Sequence, residues 1–142
     1  MAVGSPGIEI VGTPEAADDA EHRASVENIH VWRIDLNGVH SKHTLLEVIA
    51  RELRIPDYFG HNWDALEECL RDFDEGKGWL IIFESADSLL RLPVQDLVTF
   101  REILSSTMHF WGSEGRTFKI LFVGSPVLSE EFLFPGPARR GG

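Results

Sequence analysis

The stretch "KGWLIIFE", Lys77–Glu84, is the most apolar in the chain's middle and sets the architecture around it. Its five consecutive apolar residues, Trp79 to Phe83, leave no polar face for water, so a strand built from them needs cover on both sides. Such a strand belongs in the middle of a parallel sheet. Upstream, "IHVWRIDL" alternates Ile29, Val31, Ile34 and Leu36 imperfectly with His30, Arg33 and Asp35, the pattern of a half-covered strand, and Asn37-Gly38 marks a turn. Downstream, "TFKILFVG", Thr117–Gly124, supplies a third strand.

Helical periodicity fills the spaces between these strands. "SKHTLLEVIARELRIP" puts Leu45, Leu46, Ile49, Ala50 and Leu53 on one stripe, with Ser41 as N-cap and Pro56 beyond the end, a helix of about three turns. Asn62 can cap a second helix whose stripe is Trp63, Leu66, Leu70 and Phe73. Ser85 predicts the cap of a short helix through Leu90. Pro93 predicts the first turn of a longer one with Leu97, Phe100, Leu104, Met108 and Trp111 inward, ended by Gly112 and Gly115. The expected fold is α/β: a small three-stranded parallel sheet with about four helices in the order β-α-α-β-α-α-β. Right-handed crossovers would place the helices on a common face. Residues 1–28, rich in small and acidic residues, read as a flexible acidic leader, 29–124 as the domain, and 125–142, with three Pro, as a disordered tail.

Composition narrows the function. The 142 residues are 43% apolar with four Trp and nine Phe, enough for a sizeable core. A net charge of −10 opposes binding to nucleic-acid phosphates or an anionic membrane and points to a basic partner. No apolar run approaches a spanning helix and the first residues lack signal-peptide character, so a cytoplasmic protein is expected. The one cysteine, Cys69, excludes an internal disulfide and reads as a small core hydrophobe. No GxSxG, HExxH, P-loop or GxGxxG occurs. His40 and His43 lack a carboxylate at ligand spacing, so neither a metal nor a cofactor is expected.

The unusual feature is a cluster of acids. Between Asp57 and Glu75 stand seven carboxylates against Arg71 alone, a net −6. Asp64, Glu68 and Asp72, at i, i+4 and i+8, share a helix face, where like charges repel by a few tenths of a kcal/mol per pair. Asp64 has the helix dipole as a local reason and Glu67 has Arg71 at i+4; Glu68 and Asp72 have neither. The adjoining "PDYFGHNWD" sets Tyr58, Phe59 and Gly60 beside these acids. Aromatic area next to carboxylates suits a protein interface that receives Arg, while the charge alone is equally served by a solvated face.

The run "IPDYFGHNWDALEECL" resembles the central loop and helix of the barstar family, intracellular inhibitors of barnase-type ribonucleases, and the order of elements is similar from about Ile29 to Gly124. A weaker match is "FREIL", Phe100–Leu104. The resemblance implies no catalysis and no cofactor, but a monomer that covers a ribonuclease or toxin RNase active site in a 1:1 complex. Its carboxylates would stand in for RNA phosphates. Carried over by residue, the aromatic contact falls on Tyr58 with Phe59 beside it, the loop glycine on Gly60 and the cap on Asn62. The carboxylates entering the basic site fall on Asp64 and Glu68, flanked by Glu67 and Asp72, and a further acid contact falls on Glu102. The sequence departs from the family prototype in having Glu for Asp at 68, Glu for Trp at 67 and His for an acid at 61. Two other readings stand beside it. One is an adaptor of the same fold binding a basic partner that is not a nuclease, motivated by the leader and tail. The other is a small hydrolase using Asp64, Glu68 and His61, which would need a concave apolar pocket.

Overall fold

A computed structural model describes residues 7–55, 62–72 and 78–129. The apolar run forms a strand, Gly78–Glu84, in which every residue from Gly78 to Phe83 is buried. It pairs in parallel with His30–Asp35 on one side and Thr117–Val123 on the other. Beyond the latter lies a strand that the sequence reading lacked, Ile8–Val11, again parallel, with Ile8 opposite Ile120. Numbered along the chain, the four strands stand in the order β1-β4-β3-β2, so the expected three-stranded sheet is corrected to four.

The same segment overturns the leader. Residues Pro14–Val26 form α1, with the Thr13 hydroxyl accepting from the Ala16 N–H at 3.2 Å, Pro14 at the start, Glu15 in the first turn and Arg23 in the last. Its inward residues are alanines. Ala17 and Ala24 are buried, with Ala20 beside them, against Leu80, Ile82 and Leu121. Alanine gives little apolar periodicity to a sequence, yet it lets a helix backbone lie close to a sheet. At the β2 edge Arg33 completes the attachment. Its guanidinium donates to Asp18 at 2.7 Å and Glu21 at 2.8 Å on α1, and to Glu84 of β3 at 2.6 Å. The bond to Glu84 first, then those to Glu21 and Asp18, raise the guanidinium above its ordinary, already high value.

The sheet is therefore covered on both faces, and the expected common helical face is corrected. The physical reason lies in the strand order. The β1-to-β2 connection runs from one edge to the other, whereas β2-to-β3 and β3-to-β4 step back the opposite way. With right-handed crossovers a reversal of direction changes the face. Opposite α1 pack α2 (Lys42–Glu52), α3 (Trp63–Leu70), a 3-10 helix (Ala86–Arg91), α4 (Val94–Ser113) and the short α5 (Pro126–Leu128). That makes five α-helices and one 3-10 helix among the described residues.

Most local signals on this face act as read. Ser41 caps α2 in a reciprocal box with Thr44, and Leu45, Leu46, Ile49 and Leu53 are buried while Ala50 is half-buried. Gly38 takes φ 90°, which the turn after Asn37 demands of a glycine. Two signals act otherwise: Ser85 adopts φ 56° and gives no side-chain cap, and Pro93 is the N-cap of α4 rather than its first turn. The tail begins later than expected, since Leu128 of α5 is fully buried. Aromatic rings join the layers: Trp79 lies 4.7 Å from Trp111, and Phe83 lies 5.2 Å from Phe122 and 5.8 Å from Phe100.

Candidate functional site

The acidic helix is positioned by its cap and its apolar side. The Asn62 side chain accepts from the Ala65 N–H at 2.7 Å, which starts α3. Ala65, Leu66, Cys69 and Leu70 are buried. At 100° per residue this turns Asp64 and Glu68 outward on the exposed side and sets Trp63 and Glu67 on the flank toward α4. α3 ends at Leu70 with Arg71 as its C-cap, so Asp72 falls just past the helix instead of at its i+8 position, its N–H bonded to the Cys69 carbonyl. It is exposed there.

Several contacts fasten α3 to its neighbours without using Asp64 or Glu68. Arg71 donates to Glu67 at 3.2 Å and, across to α4, to the Ser106 hydroxyl at 2.6 Å, with its guanidinium 5.1 Å from the Phe110 ring. The Trp111 indole donates to the Leu70 carbonyl at 2.9 Å. Trp63 stacks on Phe100 at 6.2 Å and carries the Lys42 ammonium 5.6 Å above its ring. The order of these contacts aligns α3 parallel to α4. Glu102 is exposed one turn before Ser106 on α4, so it lies along the seam where Glu67 meets Arg71. Asp64 and Glu68 stand off that seam.

Electrostatics separates the acids further. Glu67 is held by Arg71, whereas the carboxylates of Asp64, Glu68, Asp72 and Glu102 have no ion pair or hydrogen bond among the described residues. Asp64 sits at the positive end of the α3 dipole, but Glu68 lies in the last turn and Asp72 just beyond, both at the negative end, where an acid is disfavoured. Their field reaches Cys69 beneath them. Burial first, then Glu68 and Asp72, raise this thiol above its ordinary value and keep it protonated. Cys69 is thus the core residue expected from its place on the apolar side.

Tyr58, Phe59, Gly60 and His61 lie outside the described residues. Of the expected contacts, then, the fold brings Asn62, Asp64 and Glu68 onto one short helix, sets Glu102 beside that helix, engages Glu67 internally and moves Asp72 past the helix end. The Arg71–Ser106 and Lys42–Trp63 contacts escaped the sequence reading. Each joins two helices, and no spacing along one helix signals them. Carboxylates at i and i+4, about 5–6 Å apart at Cβ, can each receive a guanidinium fork from a partner. Among the described residues no group of three His, Cys, Asp or Glu could hold a metal, and no helix is long and apolar enough to cross a membrane.

Comparison with known proteins adds one firm assignment. Among solved structures the chain is similar to Cdc6p from Pyrobaculum aerophilum, at 20% identity and a TM-score of 0.49, covering 93% of this chain and 35% of that one. A likeness of that size carries no argument. No curated protein matches. The model of the family described as Barstar (barnase inhibitor) matches residues 29–123, the span of β2, α2, α3, β3, α4 and β4. The chain belongs to the Barstar (barnase inhibitor) family.

Proposed function

We propose that the protein inhibits a basic ribonuclease, a barnase-type enzyme or an RNase toxin, by laying the start of α3 and the loop before it over the enzyme's active site in a 1:1 complex. One observation carries the reading: Asp64 and Glu68 are exposed and without a partner among the described residues, on a helix whose position is held by other residues, Arg71, Trp63 and Leu70. The helix is thus prearranged, and binding need order few of its groups. Family membership supports the same reading.

In this reading Asp64 and Glu68 receive the Arg and Lys side chains that hold RNA phosphates, and compete with RNA for them. Tyr58, Phe59 and Gly60 supply the aromatic and close-backbone part of the contact. Glu102 adds an acid from α4, and Glu67 acts through Arg71 by holding the helix. Asp72 and the rest of the net −10 steer the encounter, as charge does in the barnase–barstar system. Inhibition is steric and electrostatic, with no chemical step, and its natural setting is the cytoplasm of the cell that makes the nuclease. The adaptor reading loses part of its motive, because residues 8–26 belong to the sheet and its cover.

The test titrates a barnase-type ribonuclease with the full chain and follows RNA cleavage. Activity should fall stoichiometrically to zero. Glu68→Ala and Asp64→Ala should each weaken inhibition by at least about tenfold, since a hydrogen bond to a charged group contributes about 1.5–3 kcal/mol. Glu68→Ala should leave the urea midpoint almost unchanged. Undiminished RNA cleavage with this enzyme and with nucleases encoded nearby would shift the assignment to the adaptor.

A further inference from the structure

β1 and β4 are neighbours, yet the chain leaves them toward opposite faces. After Val11 it enters α1 on one face, and after Val123 it enters α5, whose Leu128 joins the core on the other. Such a divergence opens a crevice at the carboxyl ends of a parallel sheet, the place where open α/β sheets bind ligands. A cleft of about 540 Å³ lies there, lined by Gly12 after β1 and Pro14 at the start of α1, by Gly124 and Ser125 after β4, and by Ser85, Ser88 and Arg91 of the 3-10 helix and the residue before it. Ligand pockets are commonly about 300–1,000 Å³.

Its shape is held from within. Asp87 Oδ1 accepts both the Ser125 N–H at 2.9 Å and the Ser125 hydroxyl at 3.2 Å, which ties the loop after β4 to the 3-10 helix. A Cβ on Gly124 would come 2.9 Å from that oxygen and 2.8 Å from Leu128, so only glycine leaves this wall in place. Apart from the second oxygen of Asp87, the side-chain groups left over in the lining can donate. The Arg91 guanidinium and the Ser85 and Ser88 hydroxyls have no partner among the described residues. α1 directs its positive end at the same cleft: Pro14 has no N–H and Thr13 takes that of Ala16, which leaves the Glu15 N–H free of any bond within the helix.

The geometry points to a second binding site, separate from the acidic face, for a small phosphate monoester. Arg91 offers its fork to two phosphate oxygens, and the Ser85 and Ser88 hydroxyls serve the third. A carboxylate, with two oxygens, would leave part of this donor set unused. Gly12 and Gly124 let the ligand approach the backbone, Val123 supplies apolar wall, and the second oxygen of Asp87 accepts a hydroxyl of the organic part.

The test follows backbone amide resonances of the full chain during titration with inorganic phosphate, glycerol phosphate and acetate. Saturable shifts are expected at Gly12, Gly124 and Ser125 with both phosphates, tighter for glycerol phosphate. Arg91→Ala should weaken them by about tenfold or more, and Arg91→Lys by less, because charge survives while the fork does not. Arg91 is exposed, so unchanged resonances elsewhere will report an intact fold. Glu68→Ala should bind phosphate as the parent does, whatever happens to nuclease inhibition. Shifts that fail to saturate, that persist in Arg91→Ala, or that acetate reproduces at the same concentrations overturn the assignment.

Discussion

α1 and α3 are both short, acidic helices, and the fold treats their acids in opposite ways. On α1, Asp18 and Glu21 converge on Arg33, which also holds Glu84, and the helix lies on its alanines against Leu80, Ile82 and Leu121. On α3, Glu67 is paired, while Asp64 and Glu68 face solvent with no partner among the described residues, at a position kept by Arg71, Trp63 and Leu70. An acidic helix is therefore not in itself a sign of function. What distinguishes the two is whether the chain supplies its own cation. It does so for α1, and on the outer face of α3 it supplies none among the described residues.

The sharpest way to break this contrast is to remove α1. Deleting residues 1–28 should uncover Leu80, Ile82 and Leu121, each worth about 1.5–3 kcal/mol when fully buried. The remaining chain is expected to self-associate in gel filtration and to lose much of its resistance to urea. A monomer as stable as the parent would return residues 1–28 to the standing of a leader.

The next largest effect separates the two arginines. Arg33→Ala leaves Glu84, 33% exposed, without its cation while Glu21 and Asp18, 42% and 65% exposed, regain water, and should cost about 1–3 kcal/mol in urea unfolding. Arg71→Ala removes a pair whose members are 39% and 35% exposed, and should cost less than about 1 kcal/mol. Equal losses would mean that α3 depends on its acids as much as α1 does. Arg71→Ala should still weaken nuclease inhibition, because the helix that presents Glu68 would lose its tie to Ser106.

The smallest effect concerns pH. The Cys69 thiol is raised by burial, Glu68 and Asp72 from an ordinary value of 9.0. The unfolded chain therefore gives up this proton first as pH rises. This contribution to stability is intact below about pH 9 and is lost above it, as the pH climbs toward the folded value. Glu68→Gln should lower the thiol's apparent pKa in a thiolate absorbance titration. An unchanged value would show that the outer acids do not act on the core beneath them.

The central strand, the α2 and α3 caps, the core stripes of α2 and α4, and the acids of the candidate face are all legible in the sequence. Each of these is written in neighbouring residues: five apolar residues in a row, Ser41 and Asn62 ahead of apolar periodicity, carboxylates four apart. The doubly covered strand implies a second layer, yet that layer reads locally as a leader because its inward contacts are alanines. Packing alone sets Ile8–Val11 against β4, lays α1 on the second face and carries Arg71, the i+4 partner of Glu67, across to Ser106. These depend on residues 35 to more than 100 positions apart, as Arg71 and Ser106 or Ile8 and Ile120 are. Local propensity records what a segment can become; which segment covers a sheet, and which charge meets a counterion, is decided by packing across the chain.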